Sequence, residues 1–190
     1  FRIVEEVELQ RNVRFKIIFT FFDFRIADGE WIAGLGEHPE ILDPTNPKRV
    51  PFLNLFRDKF FKVVYDSAPS AESWGVVREN RIVWQLVNEF VSMKPDTGGR
   101  SEDDAMEDPA YRQRREELYG QGKSFFLAFR DMIKTVNPTA LVGISDLGAE
   151  NTILRWQNKG FDLLDYHTHP DYPKLNGNIG TTLKNVGWNG

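Results

Sequence analysis

Residues 81–90 read RIVWQLVNEF, an apolar run with a tryptophan at its centre that closes on Asn88 and Glu89. A short run this apolar and this rich in β-branched residues fits a strand buried on both faces, as in a parallel sheet. Residues 15–24, FKIIFTFFDF, show the same character with Asp23 near the end. Two shorter segments follow the pattern: residues 141–144, leading to Ser145 and Asp146, and residues 161–166, leading to His167-Thr168-His169.

Helical periodicity lies between these runs. Residues 1–10 space Ile3, Val4, Val7 and Leu9 as the end of an amphipathic helix. From Pro47, which suits a first helical turn, Leu53, Phe56, Phe60, Val63 and Val64 share one face. After Pro109 a helix carries Phe125, Phe129, Met132, Ile133 and Val136 on one side and stops at Asn137–Pro138. Residues 151–158 read as a short helix, and Gly160 turns the chain into the last strand. Residues 27–46, 91–109 and the tail after Asp171 have no clear period and read as irregular, as does a connector over 69–80.

Helix followed by strand, four times over, implies parallel strands joined by right-handed crossovers. The long loops follow strands, so the elaboration sits at the strand C-termini. An α/β barrel keeps its active site on that side. An open doubly wound sheet does too, but no Gly-rich phosphate loop follows any of these strands. The expected fold is therefore α/β, of the (β/α)8 TIM-barrel type: a partial barrel with about four parallel strands, in one domain over residues 1–190.

Composition narrows the partners. A hydrophobic share of 41% with 13% aromatic residues excludes a disordered chain. With 24 basic against 28 acidic residues, no positive excess exists to neutralise phosphates, which argues against nucleic acid as the main partner. The absence of cysteine rules out disulfide frameworks, cysteine–zinc sites, iron–sulfur clusters and thiol catalysis. Charges interrupt every apolar run well before membrane-spanning length, and no signal segment is visible. The chain opens at Phe1 in mid-pattern rather than at a methionine, which suggests a processed or cut product.

Each strand exit carries polar residues: Asp23; Asn88 and Glu89; Ser145 and Asp146; His167 and His169. A carboxylate at the end of a buried strand costs stability unless it is paired or functional. A single such position is readily a helix cap or loop anchor. Four successive exits aimed at one rim point to a shared pocket. Trp84, inside a strand, and Trp156, inside a helix, read as core. The acidic cluster Glu102, Asp103, Asp104, Glu107 and Asp108 lacks the alternating ligands and central glycine of a calcium loop. It reads as a solvated helix entrance, favoured by the helix dipole.

The stretch Ile82–Phe90 resembles the fourth strand of the retaining glycoside hydrolases of clan A, in particular the family-five cellulases and β-mannanases, where an apolar strand with a tryptophan ends in Asn-Glu. PFLNLFRDKFFKVVYDSA, residues 51–68, resembles that family's third helix, KIIFTFFDF its third strand, and DLLDYHTH, residues 162–169, its sixth. His169 stands where the family has an aromatic residue, usually tyrosine. The resemblance implies that Glu89 is the acid/base and that Asn88 hydrogen-bonds the sugar 2-hydroxyl. It further implies that His167 and His169 line the sugar site with Asp23 nearer the rim, and that Trp31 and Trp188 offer stacking faces to pyranose rings. No cofactor and no metal are implied, and the partner is a carbohydrate rather than nucleic acid or membrane.

A retaining glycosidase needs two carboxyl groups. The family's nucleophile is a glutamate at the end of the seventh strand, and no glutamate follows Glu150 here. The expectation is a partial barrel completed by another segment or chain, with the nucleophile outside these residues; nothing in the spacing recommends Asp146 or Asp171 as a substitute. Two other readings compete. His167-x-His169 looks like the metal-binding pair of amidohydrolases and phosphoesterases, although that motif normally sits on the first barrel strand and His38 is the one other histidine. A non-catalytic carbohydrate-binding barrel is the second.

Overall fold

In this computed structural model, which describes residues 2–23, 39–69, 74–88, 95, 97–147, 156 and 159–167, all four apolar runs become strands. They are β1, Ile17–Asp23, β2, Ile82–Asn88, β3, Leu141–Leu147, and β4, Leu163–His167. They form one sheet in the sequential order β1-β2-β3-β4, and every neighbouring pair is parallel. β3 runs further than its apolar core suggests, through Ser145 and Asp146 to Leu147, because β4 pairs with it along that extension.

The helices form where the spacing anticipates them. α1 is Arg2–Arg11. α2, Arg49–Phe56, continues into a π-helical turn, Arg57–Phe61, and then into α3, Lys62–Ser67. The widened turn admits an extra residue, and here the adjacent rings of Phe60 and Phe61 both reach Trp84, at 5.8 Å and 5.4 Å between centroids. Two short helices, α4, Gly75–Arg78, and α5, Glu102–Glu107, lie in stretches expected to be irregular. Ser101 caps α5, its hydroxyl accepting the Asp104 N–H at 3.1 Å and donating to the Asp104 carboxylate at 2.6 Å. A Ser-x-x-Asp capping signal was therefore present. The long α6, Pro109–Val136, starts as its acidic approach implies: Asp108 caps it by accepting the Ala110 N–H at 2.9 Å, and Pro109 occupies the first turn.

The crossover helices share one face of the sheet. Trp84 packs on Phe60 and Phe61, and Phe129 of α6 lies 6.1 Å from Phe61 and 5.8 Å from Phe21. Trp156 donates its indole N–H to Asp146 of β3 at 3.2 Å and lies beneath the Lys123 ammonium of α6. Ile82, Trp84, Leu86, Val142 and Ile144 are all buried on this side. Sequential strand order with right-handed crossovers requires this single-sided layer, whereas a doubly wound sheet reverses its order at a switch point. The chain is thus an α/β protein with a singly wound parallel sheet.

The other face is identified by Gly143. A Cβ added there would lie 3.1 Å from Val83 Cγ1 and 3.3 Å from Leu163 Cβ, so Val83, Gly143 and Leu163 point the same way. Alternation adds Ile18, Gln85, Ser145 and Asp165 to that face. It is less protected at its start: Ile18 is 54% exposed, and Val83 and Leu163 are half-buried. Strict alternation weakens at the end of β1, where Phe21 and Phe22 both reach the Phe129 ring of α6.

Candidate functional site

Parallel strands finish at one edge, so the polar residues that close them are gathered by topology alone. The register places Asp23 opposite Asn88. On the far side of β3, Ser145 stands opposite Asp165, Asp146 opposite Tyr166, and Leu147 opposite His167. Asp23, Asn88 and His167 are the last residues of their strands. The rim expected from the sequence therefore exists as a backbone arrangement. Asn88 is half-buried there.

The remaining expected site residues divide into two groups. The side chains of Asp23 and His167 lie outside what the structure describes, as do Glu89, His169, Trp31 and Trp188 altogether. His38 and Asp171 lie outside it too. Trp84 and Trp156 are core residues, each 1% exposed, in keeping with their places in a strand and beside a helix.

Asp146 is accounted for. It is fully buried on the helix-covered face, with Val142 and Ile144, and its carboxylate accepts the Trp156 indole N–H. This carboxylate holds the helical layer against β3 and does not face the same side as Ser145.

Two polar residues near the rim behave differently. Ser145 is 0% and Gln85 3% exposed, and neither Ser145 Oγ nor Gln85 Oε1 has a hydrogen-bond partner among the described residues. Ser145 was anticipated as a strand exit. Gln85 was missed, although a lone amide inside IVWQLV is the same kind of anomaly as the carboxylate in FTFFD. Among the described residues no group of three or more histidine and carboxylate side chains is placed to hold a metal ion.

The opposite edge of the sheet is built on charge pairing. Glu8 of α1 is buried and paired with Arg81, which immediately precedes β2. Its carboxylate also accepts the Phe15 N–H at 2.6 Å. The hydrogen bond from Arg81, followed by that from Phe15, holds the Glu8 carboxyl below its ordinary pKa. Arg81 pairs in addition with Glu79 at 2.8 Å, and Glu79 with Arg14 at 2.9 Å. Glu5 accepts the Gly75 N–H, and a Cβ at Gly75 would lie only 2.8 Å from Glu5 Oε1, so a larger residue there would displace the Glu5 carboxylate. These groups line a cleft of about 430 Å³ whose acids and bases largely satisfy each other.

Compared with protein-family models, curated proteins and solved structures, the chain gives no match to any of the three.

Proposed function

We propose that this chain is the central part of a (β/α)8-barrel glycoside hydrolase that cleaves a β-linked polysaccharide or oligosaccharide with retention. The observation that carries the reading is the pairing of a singly wound parallel sheet with a polar strand-end rim in which Asn88 closes β2 opposite Asp23. A barrel requires eight such strands; four lie among the described residues. Further strands, from another segment or chain, would complete the ring.

In this reading Glu89, next in sequence after Asn88, is a carboxylic acid that first protonates the leaving oxygen and later activates water. Its task requires a carboxyl that is still protonated near neutral pH. Asn88 hydrogen-bonds the 2-hydroxyl, a contact that strengthens as positive charge develops on the ring. His167 and His169 line the sugar, Asp23 lies nearer the rim, and Trp31 and Trp188 stack on pyranose faces. The nucleophile is a carboxylate outside residues 1–190, as the resemblance implies from the absence of any glutamate after Glu150, and Asp146 is engaged with Trp156.

The test is Glu89→Gln in the complete enzyme. Hydrolysis of substrates with poor leaving groups should fall by about 10²–10⁴-fold, the usual range for a positioned general acid. Aryl glycosides with activated leaving groups should lose far less in the first step, and equal losses on both substrates would refute the acid role. The engagement of Asp146 also favours a second reading, a barrel that binds saccharide without cleaving it. Binding without release of reducing sugar by the complete protein would select that alternative.

A further inference from the structure

We infer that Gln85 and Ser145 form a binding site for one neutral hydroxyl group, a polar level lying beneath the strand-end rim on the face of the sheet turned away from Trp84. Gly143 identifies the face, since its missing Cβ points between Val83 and Leu163, and Gln85 and Ser145 stand two residues further along their strands from Val83 and Gly143. Gln85 is opposite Gly143 in the register, so Ser145 is its diagonal neighbour across one strand spacing. Glycine at 143 leaves no side chain between them.

The chemistry of the two groups selects the ligand. Gln85 Oε1 is an acceptor, and Ser145 Oγ is both a donor and an acceptor. Both atoms are shut off from bulk solvent and unpartnered among the described residues. Buried polar groups of this kind are costly to leave unmatched and are normally satisfied by a protein group or an ordered water. A hydroxyl can donate to the amide oxygen and accept from the serine at once. An anion would meet the amide oxygen with repulsion, and a metal ion would find one neutral oxygen from each residue. The matching group is neutral and bifunctional: an enclosed water, which needs two or more polar partners, or a hydroxyl of a bound saccharide that takes its place. The site follows from the sheet alone; its occupation by a saccharide rests on the glycosidase reading.

The test is a high-resolution crystal structure of the protein, free and soaked with gluco- and manno-oligosaccharides. Calorimetric titration of the same sugars into wild type, Ser145→Ala, Gln85→Leu and Asn88→Ala accompanies it. An oxygen within hydrogen-bond distance of both Gln85 Oε1 and Ser145 Oγ in the free protein supports the site. Its replacement by a sugar hydroxyl, with roughly tenfold weaker sugar binding in Ser145→Ala and Gln85→Leu, identifies the saccharide as the natural occupant. An oxygen that persists unchanged with sugar bound identifies water as the occupant. Two side chains bonded to each other or to protein groups, with no oxygen between them, overturn the inference even if sugars bind. Complete wild-type protein that binds no saccharide while the oxygen is present refutes the glycosidase reading and leaves the hydroxyl site standing.

Discussion

On the face of the sheet that carries Trp84, rings from three successive segments interlock, the indole N–H donates to the Tyr65 hydroxyl at 2.7 Å, and Trp84, Leu86, Val142 and Ile144 are sealed, while Phe19 of the edge strand β1 is left 41% exposed. On the face that carries Gln85, one residue later in the chain, Ile18 is more than half exposed and two buried polar atoms lack partners among the described residues. The same strands thus present a finished surface on one side and an unfinished one on the other. Apolar burial and matched hydrogen bonds stabilise the first. The second keeps two buried polar atoms without partners among the described residues, each at a cost in stability that packing does not offset.

The largest expected effect tests the finished side. Trp84→Ala should destabilise the protein by about 3–5 kcal/mol, the range for removing a large buried aromatic. Ile18→Ser on the other face should stay within about 0.5 kcal/mol, as for exposed positions. Chemical denaturation of the two variants measures both. Similar losses would erase the distinction between the faces.

An intermediate effect concerns Gly143. Alanine there must push Val83 Cγ1 and Leu163 Cβ aside, because its Cβ would start 3.1 Å and 3.3 Å from them. Gly143→Ala should cost about 1–3 kcal/mol, the range for overpacking. Adding Val83→Ala should return part of that loss, and the difference is read as a coupling energy in a double-mutant cycle. Strict additivity would mean that this face is looser than the geometry indicates.

The smallest effect is one of pH and lies at the edge both faces share. Glu8 is held below its ordinary pKa of 4.5 by Arg81. A carboxyl depressed in the folded state contributes stability above its unfolded pKa and loses it as pH falls through the lower folded value. The stability gap between wild type and Arg81→Met should therefore be complete above about pH 5 and shrink on acidification below 4.5. A gap that is flat across this range would show that Arg81 acts through its packing rather than through Glu8.

Much of the architecture was legible because strand-forming and helix-forming signals are local. IVWQLVN is buried on both faces as a central strand, whereas IIFTFFD, expected to be buried likewise, lies at the sheet edge with Ile18 54% and Phe19 41% exposed, because among the described residues no strand pairs on its outer side. The alternation of both with amphipathic helices implied parallel pairing. The short α5 escaped notice because its acidic run was read as charge rather than as a Ser101-capped turn. β3 was read too short because Ser145 and Asp146 look like an exit, whereas the backbone of β4 satisfies them as strand residues. At the site, Asn88 and Asp23 stood out as polar ends of apolar runs. The role of Asp146 did not, since its partner Trp156 lies 10 positions away across a crossover.

Periodicity and composition were enough to establish four strands, their order in the chain and their common direction, since each depends on the preferences of a few adjacent residues. They could not say that Trp84 would be capped by two consecutive phenylalanines through a widened helical turn, or that the Asp146 carboxylate would be held by the Trp156 indole. Those outcomes depend on which distant side chains arrive at each face. Burial and hydrogen-bond satisfaction are properties of the assembled chain, and a polar residue acquires its meaning only when the groups around it are in place.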